Sequence, residues 1–194
     1  MIMGLREQAN LKRLNKGDPE AYAQVFDWYN TAIYRHIYFR VSNREIAEDL
    51  TSHTFLKVWE YVIRLHNREE QIESHQPIKN IRAFLYRTAN NLVIDYYRSK
   101  KFQAVELSDE MTEVIAGPDS IAERTVQRDT HEKLIAIVQT LKALDQQLVL
   151  MRYVDELSIK EIAGITHLSE NSISIRLHRA LKKLQKHNEP DGAI

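Results

Sequence analysis

Residues 158–184, with the sequence SIKEIAGITHLSENSISIRLHRALKKL, decide the fold of the C-terminal part of this chain. Ser158 stands three residues before Glu161, which is the spacing of a capping box at the start of a short helix. Residues 164–168 suit a turn, and Ser169 is then the N-cap of a longer helix. A short helix, a turn and a longer helix together predict a helix-turn-helix motif.

The longer helix of this motif is predicted to have two different faces. Its apolar residues recur with the 3.6-residue period and form one stripe: Ile173, Leu177, Ala180, Leu181 and Leu184. The opposite side is polar and basic apart from one isoleucine, and it holds Asn171, Ser172, Ile175, His178, Arg179 and Lys182. Such a face suits the major groove of DNA, where an apolar side chain such as Ile175 meets thymine methyl groups.

The distribution of charged residues along the chain supports contact with nucleic acid, although the net charge of zero does not. The chain has 27 basic and 27 acidic residues. Residues 79–101 hold six basic residues and one acid, residues 106–132 hold eight acids and two basic residues, and residues 158–187 hold six basic residues and two acids. Because attraction to phosphate depends on local fields, both basic segments are candidates for nucleic-acid contact.

The first basic segment is predicted to be a helix over residues 78–101 with nucleic-acid-binding features. Its polar edge carries Arg87, Asn90, Asn91 and Arg98, and three aromatic residues lie close by: Tyr96, Tyr97 and Phe102. Basic residues interleaved with aromatic rings are typical of surfaces that bind single-stranded nucleic acid. Tyr96 falls on the apolar stripe of this helix, so it is predicted to be a half-buried core residue instead.

Several classes of protein are excluded by what the sequence lacks. With no cysteine it has neither disulfides nor cysteine-based zinc sites. It contains no apolar run long enough for a membrane span and no signal peptide at its start, and the simplest expectation is a cytoplasmic protein without membrane insertion.

The sequence contains no phosphate-binding loop, no nucleophile elbow and no metal-binding histidine motif, so neither catalysis nor a cofactor nor a metal site is predicted. The eight histidines are scattered, and most occupy positions typical of solvated side chains: His36, His53, His66, His75, His131, His167, His178 and His187.

The N-terminal half is predicted to be helical throughout. Asp18 and Pro19 form a helix start, and the following helix points Tyr22, Val25, Phe26, Tyr29, Ile33 and Ile37 inward. Residues 42–45 have capping-box spacing with Ser42 as the N-cap, and the helix that follows continues to about Leu65. Residues 66–77 are predicted to form a loop.

The predicted fold class is all-α, with two small helical domains joined by an acidic linker. The first domain spans residues 1–102, the linker residues 103–129, the helix-turn-helix domain residues 130–187, and a flexible tail residues 188–194. The second domain is expected to begin with helices over residues 130–144 and 145–154.

The order of these segments resembles the bacterial sigma-70 family, specifically its small two-domain extracytoplasmic-function (ECF) group. Residues 47–50 (AEDL) and 54–59 (TFLKVW) resemble the helix that binds core RNA polymerase. Residues 81–98 (IRAFLYRTANNLVIDYYR) resemble the helix that reads and opens the promoter −10 element. Residues 148–154, 161–163 and 176–181 resemble the domain that reads the −35 element.

The resemblance implies roles for individual residues. Contacts with the β′ clamp helices of the polymerase would come from Asp49, Leu50, Phe55 and Trp59. Contacts near −10 would come from Arg82, Arg87, Asn90, Asn91 and Arg98, and the loop of residues 66–77 would hold a flipped-out base. Contacts at −35 would come from Asn171, Ser172, Ile175, Arg176 and Arg179, with Arg176 nearer the flank and suited to phosphate. Glu170 and Ser174 stand where the family commonly has lysine, which is expected to weaken phosphate attraction.

The implied partners are core RNA polymerase, including its β flap, promoter DNA, and an anti-sigma factor of the kind that often holds such proteins. The implied function is promoter-specific initiation of transcription. Two other interpretations fit parts of the sequence. A stand-alone helix-turn-helix regulator would explain the C-terminal half, and an interaction module that binds polymerase without reading DNA would explain Glu170 and Ser174.

Overall fold

Helices form the whole of the regular structure in the part of the chain that the computed structural model describes, which is residues 5–66, 76–106 and 138–188. The first domain contains α1 (Leu5–Leu14), α2 (Pro19–Val41), α3 (Arg44–His66) and α4 (Ile81–Glu106). The second contains α5 (Ala143–Val149), which runs into a π-helical turn (Leu150–Val154), followed by α6 (Ile159–Thr166) and α7 (Glu170–Asn188). The predicted all-α fold class is confirmed.

Three of the predicted helix starts are confirmed by their hydrogen bonds. The Asp18 carboxylate accepts from the backbone N–H groups of Glu20 and Ala21, and Pro19 occupies the first turn of α2. Ser158 and Glu161 form the reciprocal capping box of α6. The Ser169 hydroxyl accepts from the N–H of Ser172 at 3.2 Å at the start of α7. These caps were predictable because they depend only on residues a few positions apart.

The predicted cap at Ser42 is wrong. Ser42 has φ 52° and ends α2 in the left-handed conformation, with its N–H bonded to the Tyr38 carbonyl. The side chain of Asn43 instead accepts from the N–H of Ile46 at 3.0 Å and caps α3. Asparagine is at least as good an N-cap as serine, so the adjacent residue takes the role.

Two other predicted boundaries differ from the structure. The helix predicted from residue 78 begins at Ile81, because the Asn80 side chain accepts from the N–H of Ala83 and caps it. The helix predicted over residues 130–144 is broken within its described part: residues 138–139 are helical, and α5 starts anew at Ala143 after an extended Lys142.

The turn of the helix-turn-helix motif is shorter than predicted. Residues 164–166 belong to α6, and a β-carbon added at Gly164 would meet nothing within 4 Å. His167 ends the helix with φ 59°, the left-handed conformation that glycine often supplies. The predicted turn residue Gly164 is therefore an exposed helical position, and the turn consists of residues 167–169.

The core of the first domain lies between α2, α3 and α4. Its fully buried residues include Val25, Ile33, Ile37, Phe55, Val58, Val62, Leu85 and Val93. Phe26 was predicted to point into this core, but 39% of its surface is exposed. Asn15 ties the segment before α4 to α1, because its side-chain amide both donates to the carbonyl and accepts from the N–H of Ile78.

The two domains pack against each other rather than standing apart. Helix α4 contacts α6, and α2 contacts the π-helical turn. Phe39 of α2 is buried in a small cluster with Val138 and Leu150 from the second domain. This packing places the second domain over one edge of α4.

Candidate nucleic-acid and polymerase surfaces

The five residues predicted to contact the −35 element lie together on one side of the second domain. They line a shallow groove along α7 with Lys142, Asp145 and Ser169, and we call this the reading groove. Ile175 is 43% exposed, and Asn171 and Arg179 are also exposed. The core stripe predicted behind them is confirmed for Ile173, Leu177 and Ala180, which are buried. The helix therefore presents an open polar and basic face with one apolar residue.

Arg176 is held at the side of the reading groove by an ion pair. Its guanidinium donates to the Asp145 carboxylate at 3.0 Å, across the boundary between α7 and α5. The pair fixes the direction of the arginine and offsets part of its charge.

Two of the five residues predicted to contact the −10 element, Arg82 and Arg87, instead contact the second domain. Arg82 pairs with Glu161 at 3.1 Å and donates to the Asp155 carbonyl at 3.0 Å. Arg87 donates to the carbonyl of Gly164 at 2.9 Å. Asn90 is buried, whereas Asn91 and Arg98 are exposed. The structure thus shows a closed arrangement in which α6 covers part of the predicted promoter-reading edge of α4.

Asn90 belongs to a buried polar cluster of His36, Arg40, Asn90 and Asp155, which we call the interdomain cluster. His36 Nδ1 lies 2.7 Å from Asp155 Oδ2, and His36 Nε2 lies 3.1 Å from Asn90 Oδ1. Arg40 donates to the same Asn90 oxygen, and burial lowers the pKa of Arg40 to about 10. His36 is fully buried, so the expectation of a solvated histidine is wrong at this position.

Glu161 has two roles at the domain boundary. Its carboxylate accepts from the Ser158 N–H at 2.8 Å in the capping box and also pairs with Arg82. Burial raises the pKa of Glu161, but the hydrogen bonds from Ser158 and the charge of Arg82 outweigh that effect, and the pKa lies below its ordinary value. The ionised form is therefore the one that the folded protein stabilises.

Substitutions at Glu161 are expected to separate these roles. Glu161→Ala removes the cap and the ion pair and should lower the free energy of unfolding by about 1–2 kcal/mol at pH 7. Glu161→Gln keeps a capping-box residue and should cost less. A carboxyl group whose pKa is lower in the folded state stabilises the folded protein above its unfolded-state pKa, and this stabilisation disappears as the pH falls through the folded-state pKa. The difference in free energy of unfolding between wild type and Glu161→Gln, measured with urea, should therefore become smaller in acid. A difference that becomes larger in acid would contradict the assignment of Glu161.

The residues predicted to bind polymerase are divided between surface and core. Asp49 is exposed on α3. Leu50 and Phe55 are 8% and 2% exposed, so in this conformation their side chains offer almost no surface to a partner. Trp59 is half-buried and packs on Tyr22, with ring centroids 4.7 Å apart.

Exposed apolar side chains that the sequence did not single out lie on the same pair of helices. Leu56 is 51% exposed on α3, and Phe26 and Trp28 are 39% and 37% exposed on α2. Phe26 packs edge-on against Phe55 at 4.8 Å, so part of this surface rests directly on the core. Phe26 and Trp28 stand two positions apart on α2 and therefore face different sides of that helix, so Trp28 is a separate exposed group. Leu56 and Phe26 remain candidates for contact with a protein partner. Helical periodicity predicts Phe55, but not Leu56, on the inward face of α3, and the structure confirms that Phe55 is buried.

Neither a metal centre nor a membrane span is found among the residues that the structure describes. No group of three or more histidine and carboxylate side chains converges there as a metal ligand set. None of the described helices is long and apolar enough to cross a bilayer.

Comparison with known families assigns both domains. Residues 131–184 match sigma-70, region 4, and residues 25–103 match sigma-70 region 2. The chain belongs to the sigma-70 family. The region 4 match contains the reading groove from Lys142 to Arg179, and the region 2 match contains α3 and nearly all of α4. The relatives below are named ECF RNA polymerase sigma factors.

Two curated relatives and one solved structure illustrate the similarity. The ECF RNA polymerase sigma factor BldN of Streptomyces coelicolor is 28% identical over 91% of this chain, and the match covers 63% of BldN, less than two thirds of that relative. The ECF RNA polymerase sigma factor SigW of Bacillus subtilis is 25% identical, over 95% of this chain and 97% of SigW. The sigma factor RpoE from Bartonella quintana, solved with the anti-sigma factor NepR, shares the fold with a TM-score of 0.62 and 20% identity, over 88% of this chain and 98% of that one.

Proposed function

We propose that this sigma factor binds core RNA polymerase with its first domain and reads the promoter with both domains. The observation that carries the proposal is that two separate surfaces, the reading groove and the polar edge of α4, lie in the segments that match regions 4 and 2. We take the domains as residues 1–102 and 130–187, joined by the acidic segment 103–129, although residues 103–106 continue α4. Residues 107–137 and the tail from residue 189 lie outside the described part of the chain.

At the −35 element, the second domain would place α7 in the major groove. Asn171 and Ser172 supply hydrogen-bonding groups near the start of the helix, and Ile175 supplies an apolar contact. Arg179 is the exposed cation of the groove, and Arg176, held by Asp145, is placed for phosphate. Glu170 at the start of the helix reduces the local positive charge, so we expect binding that depends on the first domain and on polymerase.

At the −10 element, α4 would contact the melted strand through Arg82, Arg87, Asn90, Asn91 and Arg98. Asn91 and Arg98 are exposed in the closed arrangement, and Arg82 and Arg87 would become available if α6 moved away. Asn90 is held by Arg40 and His36 of the first domain, so its contribution would require a further rearrangement. The loop predicted to hold a flipped base lies outside the described residues between positions 67 and 75. The work of the site is binding and strand separation rather than covalent chemistry.

The surface on α2 and α3 would contact polymerase. Asp49 supplies a charge, Trp59 a half-buried ring, and Leu56 and Phe26 exposed apolar side chains. Leu50 and Phe55 would support this surface from beneath. We place the protein in the cytoplasm because its proposed partners, polymerase and promoter DNA, are there. An anti-sigma factor, as found with RpoE of Bartonella quintana, is a further proposed partner.

Binding measurements with and without core polymerase test this proposal. The isolated protein is expected to bind duplex promoter DNA weakly and as a monomer, and to bind core polymerase tightly. The complex with polymerase should then bind promoter DNA specifically, with an affinity that falls as salt rises. Tight, specific duplex binding by a dimer without polymerase would favour a stand-alone regulator. Tight polymerase binding without any promoter preference would favour an interaction module.

A further inference from the structure

We propose that His36 and Asp155 form an autoinhibitory latch, which holds the second domain over α4 and keeps the free protein from binding the melted −10 strand. The inference rests on the proposed function, since it concerns access to the surface assigned to −10 binding. It makes opening of the two domains a required step before the promoter strand is bound.

The first support is the position of Asp155. This carboxylate comes from the second domain and is fully buried against the first, 2.7 Å from His36. Arg35, also on α2, lies 3.8 Å from its other carboxylate oxygen. A buried carboxylate is costly unless it has partners, and both of these side chains belong to the other domain. The pair therefore exists only while the domains are docked.

The second support is the set of α4 residues that docking occupies. Arg82 is paired with Glu161, and Arg87 donates to the carbonyl of Gly164. Asn90 is not part of this set, because it accepts from Arg40 and lies beside His36, both of which belong to the first domain. A guanidinium already bound to a carboxylate and a carbonyl cannot hold a phosphate with the same donors. Docking and binding of the strand through Arg82 and Arg87 are therefore mutually exclusive.

The third support is the balance between polar and apolar contact. The apolar part of the interface includes Phe39 against Val138 and Leu150. The polar part includes the buried contact of His36 with Asp155 and the pair of Arg82 with Glu161. Polar groups lose hydration on burial, so such contacts contribute more to geometry than to net stability. An interface of this composition specifies one docked arrangement and still allows a binding partner to open it.

Removing His36 alone should open the protein. His36→Leu leaves Asp155 buried without its nearest partner and is expected to shift the docking equilibrium toward the open form by about 100-fold. A second change, Asp155→Ala, removes the unpaired carboxylate, so the double variant should dock better than His36→Leu alone. That rescue would not occur if His36 merely supported the fold of the first domain. Glu20→Gln, which removes an acid from the exposed pair with Arg13, is the matched control and should change nothing.

Docking is measured by energy transfer between two introduced cysteines, because the chain has none of its own. Lys79 and Lys160 line the same groove between the domains, so dyes at Lys79→Cys and Lys160→Cys report closure. Transfer should be high in the parent protein, low in His36→Leu and restored in the double variant. Binding of a random pool of short single-stranded DNA to the unlabelled proteins tests whether the −10 surface of α4 is accessible. The His36→Leu variant should bind this DNA roughly 10-fold more tightly than wild type.

A reversible cross-link tests the same point without altering the latch. Ala83 and Gly164 face the same groove from α4 and α6, and Gly164 has room for a side chain. Ala83→Cys with Gly164→Cys, joined by a short reducible thiol cross-linker, should lose single-stranded DNA binding and polymerase-dependent transcription and regain both on reduction. Cross-linked protein that binds and transcribes as well as the reduced form would overturn the latch.

The outcomes separate the latch from the proposed function. Wild type that transcribes with core polymerase, together with equal energy transfer or equal strand binding in wild type and His36→Leu, would leave the function standing and overturn the latch. Wild type that never transcribes would remove the function and, with it, the autoinhibitory role of the docking, whatever the energy transfer shows.

Discussion

Replacing Phe55 by alanine should lower the free energy of unfolding by about 3–5 kcal/mol. Phe55 is 2% exposed, packs edge-on against Phe26, and lies on α3 where the Tyr22 hydroxyl donates to its own backbone carbonyl. Alanine would lose the buried ring and leave a cavity between α2 and α3. Since domains of this size are stable by about 5–15 kcal/mol, the variant should unfold at a much lower urea concentration, measured by circular dichroism.

The neighbouring residue supplies the matched control. Leu56→Glu changes a side chain that is 51% exposed, and should alter stability by no more than about 0.5 kcal/mol. If α3 contacts polymerase as proposed, this charge should weaken core binding by roughly 10-fold or more, because it would be desolvated in an apolar contact. A Phe55→Ala protein of normal stability that fails to bind polymerase would reverse the assignment and make Phe55 the direct contact.

Removing Arg179 should reduce polymerase-dependent transcription by roughly 10- to 100-fold at promoters that carry a −35 element. The reason is that Arg179 is an exposed cation in the reading groove without an ion pair among the described residues, and a good arginine contact to DNA is worth about 1–3 kcal/mol. The measurement is run-off transcription with Arg179→Ala over a range of salt concentrations.

Lys12→Ala is the control for the loss of one positive charge. Lys12 is exposed on α1, away from the reading groove, and its removal should leave transcription unchanged. Equal losses from Lys12→Ala and Arg179→Ala would indicate a general charge effect and contradict a specific role for α7.

Much of the fold could be predicted because its signals are local. The caps at Asp18, Ser158 and Ser169 depend on residues two or three positions apart, and the stripe beginning at Ile173 depends only on helical periodicity. The errors at Ser42 and Gly164 come from competition between adjacent residues that can fill the same turn. Asn43 takes the cap from Ser42, and His167 takes the left-handed position expected of a glycine.

The docking of the domains could not be predicted, because it depends on residues far apart in the sequence. His36 and Asp155 are separated by 119 positions, and neither stands in a motif. Arg87 is predicted on a polar edge and Arg82 is assigned to −10 contact by the family resemblance, but the sequence does not show that α6 covers both residues. Likewise, periodicity placed Phe26 inward, although neighbouring elements leave it 39% exposed.

The most direct test is run-off transcription with bacterial core polymerase, with and without this protein, on a library of random promoter-length duplexes. We predict defined start sites that appear only when the protein is present and that share two sequence elements at −35 and −10. Arg179→Ala should alter the upstream element, and Asn91→Ala, an exposed residue of α4, should alter the downstream one. Transcripts that are the same with and without the protein would contradict the assignment of promoter-directed initiation.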